Sequence, residues 1–157
     1  MAEIRTIITD EDPLLHEKSV EVKRFGSVLH KLLDDMKETM YHADGVGLAA
    51  PQVGILKQAV VIDDREHGYI ELINPKITER SGQQLSTEFC LSVPDTGGMV
   101  NRAKNITVTA QDRYGNSFTK KVSGPEAVVY QHEIDHLHGV LFTDIMVAAV
   151  KKEDYED

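Results

Sequence analysis

The chain has 157 residues, 41% of them apolar, and a net charge of −9. That size suits one domain around one core, spanning 1–157. The absence of any apolar run of about 18 residues argues against a membrane helix, and the acidic balance argues against DNA or general nucleic-acid binding. The single cysteine, Cys90, cannot form an internal disulfide. It fits a reducing, cytoplasmic setting.

The first residues carry acids at Glu3, Asp10, Glu11 and Asp12 and no apolar core, so a secretory signal is not expected. Residues 27–42 read as an amphipathic helix, with Val28, Leu29, Leu32, Leu33, Met36 and Met40 on one face and Ser27 as cap. Next comes a glycine-rich stretch, GVGLAAPQ (45–52). It matches a dinucleotide fingerprint only formally, because that fingerprint needs a strand before it and a helix after it. The better reading is a loop whose backbone must approach an extended ligand, with the Gln52 amide as a candidate oxyanion donor.

QAVVID (58–63) and YIELIN (69–74) read as strands, the second ended by Pro75. NITVTAQD (105–112) and SFTKKVS (117–123) form a hairpin across Arg113 to Asn116. Ser123 and Glu126 have capping-box spacing at the start of a second helix, for which Gly139 is the stop. Helices and strands mix without a βαβ rhythm, which predicts an α+β fold. The charged tail 150–157 is expected to fray.

The second helix carries His132-Glu133-Ile134-Asp135-His136. Residues four apart share a helix face, so His132 and His136 aim at one point. A metal ion would satisfy both rings, and Glu133 would sit beside its bound water. His138 is turned away. His16, His30, His42 and His67 lie in polar surroundings that argue against ligation. An open catalytic site needs a third protein ligand. The candidates are acids elsewhere in the chain or Cys90, whose thiolate with two imidazoles suits Zn²⁺ or Fe²⁺.

Three segments thus stand in order: GVGLAAPQ (45–52), EFCLS (88–92) and HEIDH (132–136). Together they resemble the three signature motifs of the peptide deformylase family, Gly-x-Gly-Leu-Ala-Ala-x-Gln, Glu-Gly-Cys-Leu-Ser and His-Glu-x-Asp-His. One position departs, Phe89 for Gly. The likeness runs from about residue 5 to 146. It implies antiparallel sheets packed around a central helix that carries the HExxH motif. It implies one divalent metal ion on Cys90, His132 and His136, natively Fe²⁺ in many members, with Zn²⁺, Ni²⁺ or Co²⁺ able to replace it.

The implied reaction is hydrolysis of the N-formyl group from the starting methionine of nascent polypeptides, with metal-bound water as nucleophile and Glu133 as general acid/base. Gln52 and the Leu91 N–H are the implied oxyanion donors. Val46, Gly47 and Phe89 would pair with the substrate backbone, and Val128 and Val129 would line its methionine pocket. Asp135 would pair with Arg102. A Phe at position 89 is harmless in extended chain and strained only at positive φ. Longer members continue into a C-terminal helix, so the acidic end here predicts weak ribosome association. The alternatives are a metallopeptidase, suggested by His-Glu-x-x-His alone, and a non-catalytic relative that binds metal and peptide N-termini.

Overall fold

The computed structural model describes residues 2–155. Helix α1 spans Ser27–His42, followed by strands β1 (Gly47–Ala49), β2 (Ala59–Asp63), β3 (Tyr69–Ser81), β4 (Gln84–Cys90), β5 (Val93–Arg102), β6 (Asn105–Gln111) and β7 (Ser117–Ser123). Helix α2 covers Gly124–Leu137, a short α3 covers Phe142–Ile145, and β8 covers Ala148–Val150. Five strands form one antiparallel sheet in the order β1-β2-β3-β6-β7, and three form a second in the order β4-β5-β8.

Strand β2 shows why the helices lie where they do. Its residues alternate faces. Ala59 and Val61 pack with Leu29, Leu32, Leu33, Met36 and Met40 of α1. Val60 and Ile62 pack with Ala127, Tyr130, Ile134 and Leu137 of α2. The large sheet is therefore covered on both faces, which explains the unbroken apolar run in β2. Helix α2 also touches β4 of the small sheet. Its second side buries Gln131, His132, Glu133 and His136. A helix buried on two sides must carry polar groups that find partners inside the protein.

Several local expectations need correction. Gly26, not Ser27, occupies the N-cap of α1, and Val28 is exposed. Ser123 sits at the N-cap of α2 but its hydroxyl makes no capping bond, so the capping box does not form. Pro75 does not end a strand, because β3 runs on to Ser81 through a bulge between Ile73 and Lys76. Proline is tolerated in a sheet at such a point, where the ladder is already broken. The stretch after it, which the sequence pattern leaves as irregular or strand-like, is the end of β3 and the whole of β4. Val150 ends β8 and Lys152–Tyr155 form a 3₁₀ turn. The rest of the tail expected to fray, residues 156–157, lies outside the described residues.

The bulge has a clamp at its centre. Asn74 adopts φ +51°, accepts the Val22 N–H through Oδ1 (2.8 Å) and donates through Nδ2 to Val22 O (2.9 Å) and Gln111 Oε1 (2.8 Å). One amide thus ties the N-terminal segment to the large sheet. Asn74→Ala should destabilise the protein by about 2–4 kcal/mol in urea unfolding, from stranded buried partners and a left-handed Ala.

Candidate active site

Three separate elements meet in one cleft. Strand β4 delivers Cys90 at its last residue, α2 delivers His132, Glu133 and His136, and the 3₁₀ turn Ala50–Val53 delivers Gln52. The ligating atoms of Cys90, His132 and His136 lie within 4.8 Å of one another, and all three residues are buried. Cys90 Sγ is 3.4 Å from His136 Nε2.

The orientation of His132 is set from behind. Its Nδ1 lies 2.8 Å from Glu88 Oε1, which leaves Nε2 with its lone pair towards the cleft. Glu88 also accepts from Arg102 Nε (2.8 Å) and Nη2 (2.7 Å), and Arg102 Nη1 donates to Asp135. Burial opposes ionisation of Glu88, but the hydrogen bonds from Arg102 and His132 outweigh it and hold the carboxyl down to about 2. The Arg102–Asp135 pair matches the sequence expectation. The larger role of Glu88 does not come from that expectation. Its signal is spacing: in a strand, residues 88 and 90 share a face, so Glu88 must enter the cleft wall with Cys90.

Burial and the charges of His132 and Arg102 hold His136 well below its ordinary value, the neutral form that binds metal. Burial lowers His132 as well, but hydrogen bonds to Cys90 and Glu88 more than reverse this. A proton there takes the place that a cation would. One sulfur and two ring nitrogens, buried and converging, are a donor set suited to a borderline divalent ion. Glu133 is the remaining buried acid. Its Oε1 has no hydrogen-bond partner among the described residues, and burial pushes its carboxyl up to about 7. The β1 backbone comes so near that a Cβ on Gly47 would lie 2.7 Å from Glu133 Oε2. Only glycine fits that approach.

Gln52 is fixed at both ends. Its Oε1 accepts the Ala49 N–H (2.9 Å), which turns Nε2 towards Ser92 Oγ (3.1 Å) and Cys90 Sγ (3.6 Å). Leu91 lies in the two-residue turn between β4 and β5, beside Cys90 on the wall of the same cavity of about 340 Å³. Val46, Gly47 and Phe89 line that cavity as well. An adjoining cavity of about 250 Å³ is bounded by Val46, Phe89, Val128, Val129 and His132. The candidate residues are therefore brought together. His138 is exposed.

Phe89 lies in extended chain. The non-glycine residues with positive φ among those described are Asp44, Arg65 and Asn74. Its ring covers Gly97, where any Cβ would collide with it, and meets Tyr155 edge-on at 5.6 Å.

A family model described as polypeptide deformylase matches residues 4–152. The chain belongs to the polypeptide deformylase family. Removal of N-formyl groups from nascent peptides is the reaction of this family, which is metal-dependent, and it is the reaction of this chain. The chain is 51% identical to a peptide deformylase of Caldicellulosiruptor bescii over 98% of its own length and 92% of that protein. It is 52% identical to one of Alkaliphilus metalliredigens over 92% of its length and 97% of that protein. The crystal structure of peptide deformylase from Thermotoga maritima superposes with a TM-score of 0.89 at 40% identity, over 92% of this chain and 98% of that one.

Loss of Arg102 strands the buried Glu88 carboxylate. Arg102→Leu should cost about 3–5 kcal/mol of stability. Asp135→Asn, at a partly exposed carboxylate, should cost about 1 kcal/mol. Paired chemical melts check this ranking, and equal losses would contradict it.

Proposed function

We propose that this single domain hydrolyses the formyl amide of formyl-methionine peptides with Cys90, His132 and His136 as metal ligands and Glu133 as acid/base. The convergence of those four buried groups carries the reading. When bound there, a divalent ion, natively Fe²⁺ with Zn²⁺, Ni²⁺ or Co²⁺ as substitutes, supplies Lewis acidity and an activated water. Glu133 removes the proton of the attacking water and passes it to the departing nitrogen. The C–N bond breaks as formate and a free α-amine form. The oxyanion of the tetrahedral stage is met by the Gln52 amide and the Leu91 N–H, each donor lowering the barrier by about 2.7–4 kcal/mol.

The substrate enters between two sheet edges. Strand β1 is an edge of the large sheet and β4 an edge of the small one. An extended peptide can add as a strand to Val46-Gly47 on one side and Phe89 on the other. Its methionine side chain then fills the apolar cavity at Val128 and Val129. Phe89, held by Tyr155, walls the groove beyond the first residue.

A thiol ligand that must stay reduced supports a cytoplasmic setting. No helix among the described residues is long and apolar enough to cross a membrane. The charge of −9 supports weak ribosome contact at most and argues against DNA binding.

Formate release from a formyl-Met peptide, with an unformylated peptide as control, tests the reaction. Glu133→Ala should retain metal and lose at least about 10²-fold in turnover, and unchanged turnover would refute the role of Glu133. Cys90→Ser should instead weaken metal binding. Protein purified without oxygen should contain iron and lose activity in air.

A further inference from the structure

A second convergence of ligating groups lies away from this cleft, in the turn between β2 and β3. Asp64 and His67 face Glu126 in the first turn of α2, and the ligating atoms of the three lie within 4.8 Å of one another. His67 Nδ1 is 2.6 Å from Asp64 Oδ2 and 3.7 Å from Glu126 Oε2. The backbone N–H groups of Glu66 and His67 donate to Asp64 Oδ1, at 3.0 and 2.7 Å, so its carboxylate is already oriented.

A tight turn explains the Asp64–His67 contact. It does not explain why Glu126 arrives from another element, nor the state of Tyr130. That residue stands one helical turn after Glu126, on the same face. It is 1% exposed, and its hydroxyl has no hydrogen-bond partner among the described residues. Burial raises its phenol, and the negative charges of Glu126 and Asp64 raise it further. A buried hydroxyl left without a partner costs about 1–3 kcal/mol. A hydrated ion among the carboxylates gives it one.

We propose that Asp64, His67 and Glu126 form a second divalent-cation site, which staples the β2–β3 turn to the first turn of the helix bearing His132 and His136. One imidazole nitrogen and two carboxylates suit a borderline ion of the Zn²⁺ class. Tyr130 serves the ion's water shell. Two positive groups hold the place otherwise. One is the proton of His67, whose affinity for it the Asp64 hydrogen bond raises. The other is Lys120, whose Nζ is 4.0 Å from Glu126. Binding therefore releases the His67 proton and displaces Lys120. None of these residues lines the catalytic cavity, so occupancy acts on stability and helix position rather than on the chemical step.

The test uses holoprotein already carrying one equivalent of metal, titrated with Zn²⁺ alone and followed by calorimetry and by total metal content after desalting. Wild type should take up a second equivalent and melt at higher temperature with Zn²⁺ present. His67→Ala and Glu126→Gln should keep the first equivalent and formate release, lose the Zn²⁺-dependent rise in melting temperature, and bind the second equivalent at least about tenfold more weakly. A wild type that never exceeds one equivalent would overturn the proposal. So would a second equivalent that both variants bind undiminished.

Discussion

The carboxylate of Glu88 is the contact on which the active site turns. It holds Arg102 on one side and His132 Nδ1 on the other, and so joins β4, β5 and α2 at one point. A buried ion pair is a weak source of net stability, since desolvation cancels much of the attraction. Its effect here is geometric. It assigns the His132 proton to Nδ1 and leaves Nε2 to face Cys90 and His136. Helix α2 cannot roll away from that arrangement, because Ala127, Tyr130, Ile134 and Leu137 are locked into the large sheet behind it.

The same packing shapes the reaction space. The large sheet brings β1 against Glu133, and the glycine at position 47 allows an approach that any side chain would block. The small sheet brings Cys90 to the end of β4 and places Leu91 in the turn just beyond. A substrate lying between the two edges is therefore aligned before chemistry begins, which is where much of the catalytic advantage of an ordered site arises. A formyl carbon bears only hydrogen, and a cleft this close suits it better than a bulkier acyl group.

Much of this was legible in the sequence, for identifiable reasons. The His132/His136 pair could be read because helical spacing four apart is rigid. The hairpin of β6 and β7 could be read because its turn residues are explicit. The third metal ligand could not be reached from residue types alone. Cys90 competes with many acids until the ordered motifs of the family are brought in. The continuation of β3 past Pro75 was hidden because a bulge is a tertiary solution. It becomes possible only when Asn74 finds Val22, 52 residues earlier in the chain. The capping box at Ser123 failed for a similar reason, as Glu126 turns instead to His67 and Lys120. The hub role of Glu88 was available from strand alternation with Cys90, but only once β4 was known to be a strand.

X-ray absorption on protein loaded with a single equivalent of Zn²⁺ tests the central claim most directly. One sulfur at about 2.3 Å with nitrogen or oxygen neighbours at about 2.0–2.1 Å is the predicted first shell. That sulfur shell should vanish in Cys90→Ser. A shell of nitrogen and oxygen alone in the unaltered protein would contradict a site built from Cys90, His132 and His136.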